Sequence, residues 1–280
     1  MGTFADDVTV RSAGGGRYLA TLDDSWNLLP LPQGGVVVSF ALRAAEVELD
    51  TPDLTLRTCT AVFAGTVSPG ELEVEVQVLR RGRSASQVLA TVRTVGSVAG
   101  ATVLAVFGSS RSGPTLLDIA PPTVPPPERC RSYRDPLPPG VEAFPSPPFW
   151  NRVEARVALG HAWWEEWTPT QSDVATWLRF DDAPRLADGS LDPLGVVTLA
   201  DRMPGCIAEL LGPGTAPWFA PSADLTVQLF EPARTTWLLA HDRARWADDG
   251  WASAESTLWD ESGTAVAHAS QMMIFVPRPA

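Results

Sequence analysis

Three residues in the second half of this 280-residue chain could together activate and steer a water molecule: a carboxylate at Asp201, a hydroxyl at Ser222 and a carboxamide at Gln271. A carboxylate becomes a useful base when apolar neighbours lift its pKa toward neutrality, and Leu199, Met203 and Ile207 surround Asp201 in the sequence. The hydroxyl and the carboxamide add donors and acceptors that can orient water and a carbonyl group. Such a set needs no covalent intermediate.

What singles these three out is an internal repeat. Aligning Phe63 with Phe230 lays TAVFAGTVSPGELEVEVQVLRRGRSASQ on TVQLFEPARTTWLLAHDRARWADDGWASAE, and the run from Gly35 on the run from Gly195. In that alignment Ala41 stands opposite Asp201, Thr55 opposite Ser222 and Val103 opposite Gln271. The polar set belongs to one copy only.

Each copy must supply a helix and a sheet to hold these groups. Gly34 and Gly35 open a helix whose apolar positions, Val37, Phe40, Ala41, Ala44 and Val47, recur at three and four. ELEVEVQVLR, SQVLATVRTV and ATVLAVFG then alternate with period two and predict strands. In the second copy RVEARVAL and ATWLRF read as strands. A helix follows from Asp192 to Leu211, with Asp192 as N-cap and Pro193 in the first turn. Pro204 is expected to end or kink that helix just beyond Asp201. Further strands are expected near Asp224 to Phe230, Trp237 to Arg243, Ala252 to Trp259 and Thr264 to Val276. One helix followed by long antiparallel strands, twice over, is an α+β arrangement. Eleven of the 26 prolines fall between Pro121 and Pro148, which reads as an extended connector. Ten of the eleven tryptophans lie from Trp150 onward, available for a core or for the lining of a tunnel.

Composition narrows the partners. A net charge of -12, with no lysine at all, argues against nucleic acid. Cys59, Cys130 and Cys206 are isolated and odd in number, which fits a reducing compartment and offers neither a disulfide framework nor a zinc site. His161, His241 and His268 share no metal-binding spacing, so neither metal nor cofactor is expected. The opening MGTFADDVTV has no signal or lipidation pattern, and no window has the roughly 18 apolar residues of a membrane span. The expectation is a cytoplasmic protein without a membrane partner.

These segments resemble the double-hotdog acyl-CoA thioesterases of type II, over nearly the whole chain. PLPQGGVVVSFALRAA is similar to the family's Gly-Gly helix start, LRRGRSASQVLATV to its arginine-containing turn, and LADRMP, APSADLTVQLFEP and AVAHASQMMIFVPRP to its catalytic segments. The resemblance implies two tandem hotdog domains, each a curved antiparallel sheet around a central helix: residues 1–118, a linker over 119–148, and residues 149–280 carrying the site. It implies hydrolysis of fatty acyl-CoA to fatty acid and coenzyme A, a place in fatty acid metabolism, and catalysis by Asp201, Ser222 and Gln271 through direct attack of water. Many members have Thr where this chain has Ser222. Gly35, with Gly34, is expected to bind the substrate oxyanion through a backbone N–H at the helix start. Arg80, Arg81 and Arg83 are candidates for the coenzyme A phosphates, since guanidinium pairs with phosphate in two-pronged fashion.

Other readings remain open from sequence. A hotdog protein could bind acyl-CoA or an acyl chain without turnover. A hydratase on this fold calls for a helix histidine, which neither helix has, and no GxSxG elbow supports a serine hydrolase. A homodimer or larger homo-oligomer is expected.

Overall fold

The computed structural model describes residues 2–28, 30–142, 146–213 and 218–277. Positions 143–145 of the linker and 278–280 at the chain end lie outside the described residues.

A short helix α1 (Phe4–Asp7) and strands β1 (Arg11–Gly14) and β2 (Arg17–Leu22) lead to the first long helix, α2 (Gly34–Leu49). Four strands follow: β3 (Thr55–Phe63), β4 (Gly70–Arg80), β5 (Ala85–Thr94) and β6 (Ala101–Gly108). The second unit contains β7 (Arg131–Ser132), β8 (Val153–Leu159) and β9 (Asp173–Phe180), then helices α3 (Pro193–Ala200) and α4 (Pro204–Leu211). It closes with β10 (Trp218–Phe219), β11 (Asp224–Leu229), β12 (Leu238–Asp248), β13 (Trp251–Asp260), β14 (Ala265–Ile274) and β15 (Val276–Pro277). Both units are hotdog folds, each wrapping a sheet around its helix.

The two sheets are one. Thirteen strands run in the order β1-β2-β4-β5-β6-β3-β11-β14-β13-β12-β9-β8-β7, and the units meet where β3 and β11 pair antiparallel around Thr60 and Thr226. Each half of the sheet has a face that alternates between buried and open positions, as in the strand β5 (Ala85–Thr94) with Ser86, Val88, Ala90 and Val92 inward. The helices α2 and α3 lie side by side against that inner face, and a continuous apolar core joins both units through them.

The strand register corrects the repeat alignment. Cys59 and Ala61 are buried on β3, as are Leu225 and Val227 on β11, so Thr60 corresponds to Thr226, an offset of 166 residues. The same offset puts Leu56, not Thr55, opposite Ser222, and it agrees with the pairs Leu56–Phe107 and Ser222–Met273. Gln271 then corresponds to Ala105, not Val103. A slip of one residue turns a side chain to the other face of a strand, and Thr55 is in fact exposed while Leu56 is buried. Counted from the N-caps Gln33 and Asp192, Asp201 matches Leu42 rather than Ala41. The corrected partners Leu42, Leu56 and Ala105 are all apolar and buried, so the chemical asymmetry between the units is sharper than the sequence alignment showed.

The tryptophans divide between several jobs. Trp177, Trp237 and Trp259 form a separate cluster with Ala175, Leu239 and Ala265, against which Val124 and Cys130 of the proline-rich connector pack. Trp177 also donates through its indole N–H to Pro125 O at 2.9 Å. Trp26 is buried between Phe4 and Phe149.

Candidate active site

The helix of the second unit breaks at Asp201. Pro204 has no N–H to offer Ala200 O, so α3 ends at Ala200 and α4 starts afresh at Pro204. Asp201 sits in the break with non-helical φ and ψ of -89° and 73°. Its side chain is 6 % exposed, set at one wall of a cavity of about 840 Å³ between the two units. Leu28, Val37, Phe63, Trp150, Phe219 and Ile274 give that cavity a largely apolar lining, and Gln33, Gly34 and Ser222 reach it as well.

Three groups converge on the carboxylate. Gly35 N–H donates to Asp201 Oδ2 at 2.8 Å, Gln271 Nε2 donates to Oδ1 at 3.2 Å, and Ser222 Oγ lies 3.5 Å from Oδ1. Gln271 Nε2 also donates to Ser222 Oγ. Gln271 Oε1, in contrast, is buried and has no hydrogen-bond partner among the described residues. Burial pushes the Asp201 carboxyl up to about 6, against hydrogen bonds from Gly35, Ser222, Gln271 and Gly34 that pull it down. A carboxylate poised there is mostly ionised at neutral pH yet basic enough to accept a proton from water.

The structure thus brings Asp201, Ser222 and Gln271 together, along with Gly34 and Gly35 from the other unit. Both glycines are required sterically. A Cβ on Gly34 would stand 2.7 Å from Asp201 Oδ2, and one on Gly35 would stand 2.8 Å from Thr198 Cα. The N–H of Gly35 is directed at the Asp201 carboxylate.

Arg80, Arg81 and Arg83 are not brought to this cavity. Arg81 donates to Leu49 O and, at 3.0 Å, to Glu48 O, closing the C-terminal end of α2. The cavity lies at the N-terminal end of that helix, about 24 Å away for a 16-residue α-helix. Unpaired carbonyls at a helix C-terminus attract a guanidinium, and this accounts for the placement of Arg81.

Two residues of the site were not singled out in the sequence. Gln33 caps α2 with its side chain, although Gln is not a favoured N-cap residue. Its place directly before Gly34-Gly35 was the one available signal. Arg202, next to Asp201, reaches 2.8 Å to the fully buried Asp242 on β12, a partner 40 residues away that no local pattern announces.

Comparison with known proteins agrees with the fold. A structure from Thermobifida fusca YX assigned to thioesterase II superposes with a TM-score of 0.79 at 25% identity, covering 98% of this chain and 97% of that one. A hot dog fold protein of Alicyclobacillus acidocaldarius superposes with a TM-score of 0.80 at 21% identity, with 99% and 98% covered. For an acyl-CoA thioesterase II from Mycobacterium marinum the TM-score is 0.71 at 17% identity, with 99% of each chain covered. No curated protein sequence matches. The model of the acyl-CoA thioesterase N-terminal domain matches residues 22–108 and that of the C-terminal domain residues 127–275. With both halves matched in order, the chain belongs to the acyl-CoA thioesterase family and is a double-hotdog thioester hydrolase.

Proposed function

We propose that this enzyme hydrolyses fatty acyl-CoA with Asp201 as general base, Ser222 and Gln271 as the groups that orient the attacking water, and the start of α2 as the electrophilic support. The observation that carries the reading is the Asp201 carboxylate, buried beside an apolar cavity and met there by Ser222, Gln271 and Gly35. The apolar walls suit an acyl chain, since each buried methylene contributes about 0.8 kcal/mol.

In the reaction, water held by Asp201 and Ser222, which Gln271 Nε2 fixes in place, attacks the thioester carbonyl carbon while its proton passes to Asp201. The tetrahedral intermediate collapses with cleavage of the C–S bond. The departing thiolate takes the proton back from Asp201, leaving a fatty acid and free coenzyme A. A backbone N–H at a helix start meets developing negative charge favourably. Once Asp201 is protonated its hold on the N–H groups of Gly34 and Gly35 weakens, which frees them for the oxyanion.

The test is thiol release from a panel of acyl-CoA esters by wild type and Asp201→Asn. Turnover of at least one ester, with a loss of about 10²-fold or more in the variant, is expected for a general base. Undiminished turnover in Asp201→Asn removes Asp201 from the mechanism. Saturable binding of every ester without thiol release would instead favour acyl-CoA binding without turnover.

A further inference from the structure

Gln33 is 2 % exposed and uses its side chain at two helix ends at once. Its Oε1 accepts from Val36 N at 2.8 Å, satisfying an orphan N–H in the first turn of α2. Its Nε2 donates to Thr198 O at 2.9 Å and to Asp201 O at 2.7 Å, both carbonyls at the C-terminal end of α3. Those carbonyls lack regular helical partners because the helix is interrupted before Pro204. The main-chain N–H of Gln33 is itself fixed, donating to Trp26 O at 3.0 Å.

One carboxamide therefore joins the positive end of a helix from one unit to the negative end of a helix from the other, and the joint is Asp201 itself. Its main-chain oxygen is held by Gln33, and its side-chain oxygen is held by Gly35, two residues along from Gln33. A residue in a helix break has few local bonds to fix its backbone, so the direction of its carboxylate depends on such outside contacts.

Taking the general-base role of Asp201 as given, we propose that Gln33 is a positioning residue that sets the register between the two helices and so aims the Asp201 carboxylate at Gly35 N–H and at the attacking water. Gln33 has no chemical step of its own. Its effect should appear in turnover and in the titration of the base more than in substrate affinity.

The experiment compares wild type, Gln33→Ser, Gln33→Glu and Asp201→Asn by steady-state kinetics across pH, with thermal unfolding measured in parallel. Ser is a good N-cap, so Gln33→Ser keeps α2 capped while losing the reach to Thr198 O and Asp201 O. Glu keeps the size and the acceptor but, when ionised, has no donor for the two carbonyls. Both variants are expected to fold, to lose about 10- to 100-fold in kcat with KM nearly unchanged, and to shift the acid limb of the rate profile upward as the Gly35 hydrogen bond weakens. Wild-type kcat and acid limb in either folded variant overturn the proposal, as does failure of both to fold, which would give Gln33 a purely structural role. If wild type itself releases no thiol from any ester, or Asp201→Asn is fully active, the hydrolytic reading fails first, and the two failures are distinguishable.

Discussion

Arg202 and Asp242 form an ion pair at 2.8 Å in which the carboxylate is completely buried, and the arginine is the residue that directly follows Asp201. The pair ties the break between α3 and α4 to strand β12. It is not fully satisfied: Asp242 Oδ1 and Arg202 Nε have no partner among the described residues. Burial raises the Asp242 pKa, and the neighbouring guanidinium draws it back.

Removing one partner of such a pair leaves a buried charge uncompensated. Asp242→Ala is expected to destabilise the fold by about 3–5 kcal/mol, whereas Arg202→Met combined with Asp242→Leu should cost far less. Denaturant unfolding of the single and double variants measures the difference. Equal losses in both would mean that packing, not charge, governs this place.

The rate should depend on pH through Asp201. With its carboxyl at about 6, kcat/KM should be level near pH 8 and fall roughly tenfold per unit well below pH 6. A limb near the ordinary aspartate value of 3.8 would mean that the carboxylate is solvated in solution.

Stability carries the same signature with a definite sign. The folded-state pKa of Asp201 is raised, so its favourable contribution is complete below about pH 4 and is lost as pH rises through 6. Relative to wild type, Asp201→Asn should therefore gain stability between pH 4 and pH 8, by up to about 3 kcal/mol. Urea unfolding at both pH values reads this directly. A pH-independent difference between the two proteins would contradict a buried, raised carboxylate.

The glycines of α2 give a steric test. Gly35→Ala drives a methyl group against Thr198 Cα and Val197 O, main-chain atoms that cannot turn aside. A cost of about 1–3 kcal/mol is expected from overpacking, together with a strong loss of turnover as α2 and α3 separate. Gly34→Ala meets the Asp201 carboxylate and the ring of Phe63, so activity should fall with less effect on stability. Thermal unfolding and thiol release distinguish the two.

Arg81 should matter to the helix and not to the substrate. Arg81→Ala is expected to lower stability by a few tenths of a kcal/mol, through loss of its bonds to Leu49 O and Glu48 O, with KM unchanged. A several-fold rise in KM would restore a phosphate contact to this turn.

Much of the architecture is legible along the chain because it rests on periodicity. The period-two runs of β4, β5 and β6, the Gly-Gly start of α2 and the break imposed by Pro204 are local effects of side-chain pattern and backbone chemistry, and the structure has them where the sequence places them. Asp201 and Gln271 were legible for a different reason: each stands opposite an apolar residue of the first copy, Ala41 or Val103, while Ser222 faces Thr55 in that alignment and was marked by its family position.

Tertiary structure alone decided what those residues touch. The true counterparts Leu56 and Ala105 depend on strand register, which a few residues of loop can shift and only the packed sheet settles. The turn Arg80–Arg83 and the start of α2 occupy opposite ends of one helix, a separation that only the folded chain shows. The bond from Gly35 to Asp201 and the clamp by Gln33 join positions 166 and 168 residues apart. No periodicity carries that information, because it arises only when two helices, each folded by its own local rules, are pressed together by a shared core.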